Sequence, residues 1–97
     1  MDKYKFRKID SCSNYDYKII ENENGNFTLE DEFTTEDRTG TCYYKLFKNE
    51  NNKYYWCLRH SSDGNINQCV MIKDSELEDI LDYSYDEVEY FIQRSIN

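Results

Sequence analysis

The sequence of 97 residues contains no proline and no alanine, three glycines and a single histidine. The lack of proline and alanine, beside many Asn, Lys, Ile and Tyr, is typical of an AT-rich coding sequence and says little about function. No apolar run approaches the roughly 18 residues that a membrane-spanning helix needs, and the first residues lack the apolar region of a signal peptide. We therefore expect a cytoplasmic protein that does not enter a membrane.

The sequence contains few residues in patterns that would bind a metal ion or form a catalytic nucleophile. No Asp-x-Asp-x-Asp-Gly spacing occurs, which excludes the usual calcium loop. Cys57 and His60 have a Cys-x2-His spacing, but zinc needs four converging ligands, and strand residues three apart point to opposite faces. Only a turn at His60 would let it join Cys42 and Cys69, and no third group is identifiable that would orient a Cys/His nucleophile pair. We expect no cofactor, no metal ion and no catalytic residue.

The cysteines are four, an even number that would allow two disulfides. They are Cys12, Cys42, Cys57 and Cys69. Without an export signal we expect them to stay reduced and to act as small buried or half-buried hydrophobes.

Length and aromatic content predict one folded domain. Ten Tyr, five Phe and one Trp supply large contact areas, and a chain of 97 residues can bury a single core. Residues 1–97 are therefore predicted to form a single α+β domain. Its first part, 1–73, is strand-rich, and its second part, 74–97, is a helical acidic tail.

The strand-rich part consists of short runs in which apolar and polar residues alternate, or in which aromatic and β-branched residues dominate. The predicted strands cover residues 3–7, 15–19, 27–33, 42–47, 54–60 and 68–73. Asn24-Gly25 is a strong hairpin signal, so the second and third strands are predicted to be antiparallel neighbours. Residues 34–41 contain no apolar side chain and are predicted to be an exposed loop.

The tail changes to helical spacing. Ser75 with Glu78, and Ser84 with Glu87, have the pattern of capping boxes, each followed by apolar residues at helical intervals. This predicts either one helix that bends near residues 82–84 or two short helices. The expected fold class is α+β: an antiparallel β-sheet meander of five or six strands, with the C-terminal helix or helix pair packed on one face.

The most informative feature is the segregation of charge. The net charge is −8, but residues 21–40 carry seven acidic side chains against one Arg, and residues 74–97 carry eight against one Arg. In a continuous helix Asp79, Asp82, Asp86 and Glu89 would stack on one side, at intervals of about 5 to 6 Å. That interval is similar in scale to a run of backbone phosphates.

These acids and the tyrosines among them are the predicted partner-binding surface, provided that the two segments lie side by side. The predicted site residues are Glu30, Asp31, Glu32, Glu36, Asp37, Asp79, Asp82, Tyr83, Tyr85, Asp86, Glu89 and Tyr90. The expected partner is a basic protein that such a surface would steer and bind, with no direct contact to nucleic acid and none to a membrane.

In its small size, acidity and tyrosine content the chain is similar to the DNA-mimic inhibitors with which phages and mobile elements block restriction enzymes and CRISPR nucleases. The resemblance is one of composition and size, and it transfers no residue. It implies a non-catalytic inhibitor, of the anti-CRISPR or anti-restriction type, that occupies the basic nucleic-acid-binding site of a host defence protein.

Other functions stay open on the sequence alone. The acids can be a solvated face that only keeps the protein dissolved. A small ligand-binding or structural module would show an apolar pocket in the sheet, lined by Tyr44, Trp56 and Leu58. A Cys/His metal-binding domain would lose stability with a chelator. Direct nucleic-acid binding by the lysine-bearing strands is disfavoured by the net negative charge, and a glycosidase-like carboxylate pair by the absence of an apolar setting.

Overall fold

The computed structural model describes residues 3–10 and 14–96, and it is mainly β-structure. Cys12 lies outside this part of the chain, so the expectation for its thiol stays a prediction. The strands are β1 (Lys3–Lys8), β2 (Asp16–Glu21), β3 (Phe27–Asp37), β4 (Gly40–Asn49), β5 (Tyr54–His60) and β6 (Ile66–Met71). The helices are α1 (Leu77–Leu81) and α2 (Tyr85–Ile96), with single 3₁₀ turns at Ser61–Asp63 and Asp74–Glu76.

The six strands form a closed antiparallel barrel in the order β1-β2-β6-β5-β4-β3. β1 pairs with both β2 and β3, and β2 pairs with β6, so the sheet has no free edge where an open meander would have two. The predicted fold class, an open meander sheet with a packed helix, is therefore wrong. The sequential antiparallel pairing of β3, β4, β5 and β6, and of β1 with β2, agrees with the expected meander.

The predicted hairpin at Asn24-Gly25 is also wrong, because β2 and β3 are not neighbours. β1 lies between them, and the connection from β2 to β3 crosses the end of β1. Gly25 is required for this crossing: a Cβ at this position would overlap the carbonyl group of Tyr4. The glycine therefore allows the backbone at residue 25 to pass close to the backbone of Tyr4, and it does not form the tight turn that the Asn-Gly pattern predicts.

β3 and β4 form a long hairpin that replaces the predicted loop at residues 34–41. Their pairing continues from Phe27↔Asn49 to Asp37↔Gly40, with a bulge between Leu29 and Asp31. Four of the eight residues there are Thr, which is β-branched and suits a strand although it is not apolar. The bulge changes which face the following β3 side chains occupy.

The hydrophobic residues form two clusters on the two faces of the barrel wall. The inner cluster contains Tyr4, Phe47, Cys57 and Cys69, with Phe6, Tyr17, Ile19, Phe27, Leu29 and Tyr55 around them. The outer cluster contains Tyr44, Leu46, Trp56, Val70 and Ile72 from the strands together with Ile80, Val88, Phe91 and Ile92 from the helices. Side chains alternate along each strand, so one residue points into the barrel interior and the next points towards the helices.

The helical tail consists of two short helices, one of the two arrangements that the sequence allowed. The Ser84–Glu87 capping box is confirmed: Ser84 N donates to Glu87 Oε1 at 3.1 Å and Glu87 N donates to Ser84 Oγ at 3.3 Å. The Ser75 box is wrong, because residues 74–76 form a 3₁₀ turn and α1 begins without a side-chain cap. The break between α1 and α2 also removes the continuous column of four acids.

Two of the cysteines are joined, which corrects the expectation that these thiols stay reduced. Cys57 and Cys69 are directly opposite each other on β5 and β6, and they form a disulfide inside the barrel. The expectation that Cys57 is buried is met, and Cys42 is a half-buried free thiol. No helix within residues 3–10 and 14–96 has the length and apolar character needed to cross a membrane.

Candidate functional site

A contact between β3 and α2 joins the two acidic segments of the chain. The hydroxyl of Tyr85 donates a hydrogen bond to Asp31 Oδ1 at 3.1 Å. The Tyr85 ring stacks on the Phe33 ring, with the centroids 4.2 Å apart and the planes 12° from parallel. The first turn of α2 is thereby held against the middle of β3.

Five residues around this contact define what we call the α2–β3 face: Asp31, Tyr85, Asp86, Glu89 and Tyr90. Tyr85 and Glu89 are four residues apart on α2 and are therefore neighbours on the helix surface. Asp86 and Tyr90 form a second pair with the same spacing. The Tyr90 side chain is 67% exposed, and Asp86 is exposed as well. The face thus presents carboxylates and aromatic rings to solvent.

Among the residues that the structure describes, no ion pair involves a carboxylate of this face, although Arg94 lies over the Tyr90 ring at 5.5 Å and lines a groove with Asp86. Within the described part of the chain, the ion pairs are Lys53–Asp74 at 2.7 Å and His60–Asp37 at 3.3 Å, and both lie elsewhere. The hydrogen bond to Asp31 raises the pKa of the Tyr85 hydroxyl, so Tyr85 remains a neutral donor. The carboxylate of Asp31 thus fixes the position of the tyrosine.

The other acids predicted from β3 do not join the α2–β3 face. Glu32 is paired with Lys45 and Glu36 with Thr41 on β4, and strand alternation points both away from α2. Glu30 is the unpaired residue of the bulge, and it lines a groove that also contains Lys3. Asp37 is turned towards His60.

The acids predicted near α1 lie apart from α2 in the chain fold. Asp79 is exposed on α1, and Asp82 caps the end of that helix, before the break that separates it from α2. Tyr83 is half-buried, and its ring packs edge-on against Phe91 at 6.4 Å between centroids. Tyr83 also lines a groove with Asp86 and Tyr90 of the α2–β3 face.

A second cluster of reactive side chains lies where β4, β5 and the hairpin turn meet. Cys42 and His60 are directly opposite on β4 and β5, and Asp37 ends β3 beside them. The Cys42 thiol donates to Asp37 Oδ2 at 3.6 Å, and His60 Nε2 lies 3.3 Å from Asp37 Oδ1. We call these three residues the hairpin cluster.

The turn residues hold the carboxylate of the hairpin cluster in place. Asp37 Oδ1 accepts hydrogen bonds from Thr39 N and Thr39 Oγ1, both at 2.7 Å, and from Gly40 N at 3.0 Å. The Thr39 bonds, with a further one from His60, lower the pKa of Asp37 well below its usual range. Gly40 has a φ of +151°, and a Cβ there would lie 3.0 Å from His60 Cε1, so glycine is required.

The cysteine of this cluster is not an activated nucleophile. Burial raises the pKa of the Cys42 thiol, and the nearby charges of Asp37 and Glu89 act in the same direction. A nucleophilic cysteine needs the opposite shift, towards the thiolate. The electrostatic effect of Glu89 also places the hairpin cluster close to the α2–β3 face.

The barrel interior contains a polar cavity of about 190 Å³. It is lined by Tyr4, Ile19, Glu21, Lys45, Arg59, Asn65 and Asn67. Arg59 lies over the Tyr43 ring at 4.2 Å and donates to Gly64 O at 2.9 Å. The apolar pocket expected at Tyr44, Trp56 and Leu58 does not form, because these residues belong to the outer cluster under the helices.

Comparisons with models of protein families, with curated proteins and with solved structures found no match to this chain.

The sequence contains a local signal for the hairpin cluster, although residues 34–41 were predicted to be an exposed loop. Asp37-Arg38-Thr39-Gly40 places an Asp and a Gly at the two ends of a tight turn, a pattern that favours side-chain capping of the turn. Recognising that turn would have continued β3 and β4 and brought Asp37 near Cys42. Nothing local indicated the register that sets Cys42 opposite His60.

Proposed function

We propose that this protein is a non-catalytic interaction protein that binds a basic site on another protein through the α2–β3 face. The observation that supports this most is the hydrogen bond and ring stack between Tyr85 and β3, since it joins acids from both segments in one surface. A solvated surface has no need of such a connection. Because no ion pair among the described residues involves these carboxylates, they remain available to a partner.

The partner that this face fits carries Lys and Arg in a groove, as proteins do where they hold a nucleic acid backbone. Carboxylates fixed on a helix and a strand would steer association and oppose acidic partners. Exposed Tyr90 and Tyr85 would supply contact area at a low entropic cost. In its finer form the proposal is an inhibitor of a nucleic-acid-handling defence protein that acts in the host cytoplasm.

Capture of the partner from cells of the source organism tests the proposal. The test variant is Asp86→Lys/Glu89→Lys, and the matched control is Glu23→Lys/Glu50→Lys, which changes net charge equally on exposed residues outside the face. Like charges brought together at an interface cost several kcal/mol. We therefore expect the test variant to bind the partner at least about tenfold more weakly, since about 1.4 kcal/mol corresponds to a factor of ten.

The control variant should retain the partner identified by mass spectrometry, and circular dichroism should show that both variants are folded. Equal loss in both variants would mean that only net charge matters. A partner that is acidic, or that binds the test variant as well as the wild type, would rule out the α2–β3 face as the binding site.

A further inference from the structure

The hairpin cluster brings together three different metal-ligating atoms from three strands, β3, β4 and β5. One ligand atom each from Asp37, Cys42 and His60 lies within 4.8 Å of the other two. Cys57, three residues before His60, points into the barrel and is bonded to Cys69, so it cannot be a ligand of this cluster. The cluster therefore offers one oxygen, one sulfur and one nitrogen, with a fourth direction open.

The separations within the cluster suit a tetrahedral ion. Zinc bonds of about 2.3 Å to sulfur and about 2.1 Å to nitrogen or oxygen put neighbouring ligand atoms about 3.4 to 3.6 Å apart. In the hairpin cluster His60 Nε2 lies 3.3 Å from Asp37 Oδ1, and Cys42 Sγ lies 3.6 Å from Asp37 Oδ2. These two distances are to different oxygens of the Asp37 carboxylate, and the three ligand atoms lie within 4.8 Å of one another, so side-chain rotations are needed to close the site around one ion.

The groups behind the ligands resemble the outer shell that orients metal ligands in proteins. Asp37 Oδ1 is held by the amides of the turn, which leaves Oδ2 facing Cys42 as the free ligand atom. His60 Nδ1 lies 2.7 Å from Ser62 Oγ. Nδ1 also accepts a hydrogen bond from Ser62 N at 3.1 Å, so in this structure the ring proton is on Nε2, facing Asp37. Binding of an ion at Nε2 requires that this proton move to Nδ1, where Ser62 Oγ can accept it in place of the bond from Ser62 N.

We propose that Asp37, Cys42 and His60 bind a divalent transition-metal ion, with zinc as the natural occupant and a water molecule as the fourth ligand. The thiolate and imidazole ligands select zinc-like ions over calcium and magnesium, which prefer oxygen. The electrostatic influence of Glu89 on this cluster favours a cation as well. Asp37 would then be a metal ligand and would not belong to the predicted partner-binding surface.

Cobalt(II) titration of the full chain tests the site, because a cobalt–thiolate bond gives a charge-transfer band that oxygen and nitrogen ligands do not. The titration uses the disulfide-intact protein, under nitrogen and without added reductant, so that Cys57 and Cys69 cannot bind the ion. We expect one equivalent of cobalt to produce this band, together with the visible bands of tetrahedral cobalt, and zinc to remove both.

Cys42→Ser should abolish the charge-transfer band, and His60→Gln should weaken cobalt binding at least about tenfold, since even outer-shell changes cost 10- to 100-fold. Glu78→Gln, an exposed acid on α1, is the control and should bind like the wild type. Circular dichroism shows whether each variant is folded. Absence of the band in the wild type, or its persistence in Cys42→Ser, overturns the proposal.

Discussion

Replacing Phe47 by Ala is expected to remove about 3 to 5 kcal/mol from the free energy of unfolding. Phe47 is 0% exposed, and its ring meets the edges of Tyr4 and Phe6 at centroid distances of 5.0 and 5.2 Å. Because these rings come from β1 and β4, on opposite sides of β3, the truncation leaves a cavity inside the barrel that the closed wall cannot collapse to fill.

Urea unfolding followed by circular dichroism measures this change, and Met71→Ala provides the control. Met71 is 54% exposed at the end of β6, so its truncation should alter stability by no more than about 0.5 kcal/mol. In a domain of this size the Phe47 variant should melt at least about 10 °C lower. Equal and small effects of both substitutions would show that the barrel interior is not the packed core.

Reduction of the Cys57–Cys69 disulfide is expected to lower the free energy of unfolding by about 3 kcal/mol. The bridge closes a loop with a sequence separation of 12, which restricts the unfolded chain. It also joins two neighbouring strands that the backbone already pairs, so the native structure gains little new order from it. The effect should therefore appear mainly as a change in unfolding midpoint.

The measurement compares urea unfolding with and without a phosphine reductant in three proteins. Wild type and Cys42→Ser should lose the same stability on reduction, because Cys42 is a free thiol outside the bridge. A Cys57→Val/Cys69→Val variant should not respond to the reductant. Wild-type unfolding that is identical in both conditions would show that the bridge does not form or does not stabilise the fold.

Local features of the sequence predicted local features of the fold. β5 begins and ends as predicted, since an aromatic run is bounded by Asn51-Asn52 on one side and by the Ser-Asp-Gly turn on the other. The Ser84–Glu87 box works within four residues and needs no information from elsewhere. His60 lies at a strand end beside a turn, as its neighbours indicated.

Barrel closure depends on pairings that no local pattern contains. β2 meets β6 through residues some 50 positions apart, such as Asp16 and Gln68, and β1 inserts between β2 and β3. Gly25 gives the same sequence pattern whether it makes a hairpin turn or a close crossing over Tyr4. The positions of most strands could thus be predicted from the sequence, but their order in the sheet could not.

The two candidate sites depend on register in the same way. Acidic patterning named Asp31, Tyr85, Asp86, Glu89 and Tyr90, but only the bulge in β3 sends Asp31 to the same face as α2. The Cys-x2-His spacing drew attention to the wrong cysteine of the pair. Cross-strand pairing placed a different cysteine beside the histidine.

The most direct test of an acidic array on the α2–β3 face is an NMR titration with a short oligolysine peptide at low salt. Amide shifts should be concentrated at Asp31 and residues 85–90, disappear in Asp86→Lys/Glu89→Lys, and persist in Glu23→Lys/Glu50→Lys. Shifts spread over all exposed acids in proportion to their exposure would contradict the proposal and leave the charge as a solvated surface.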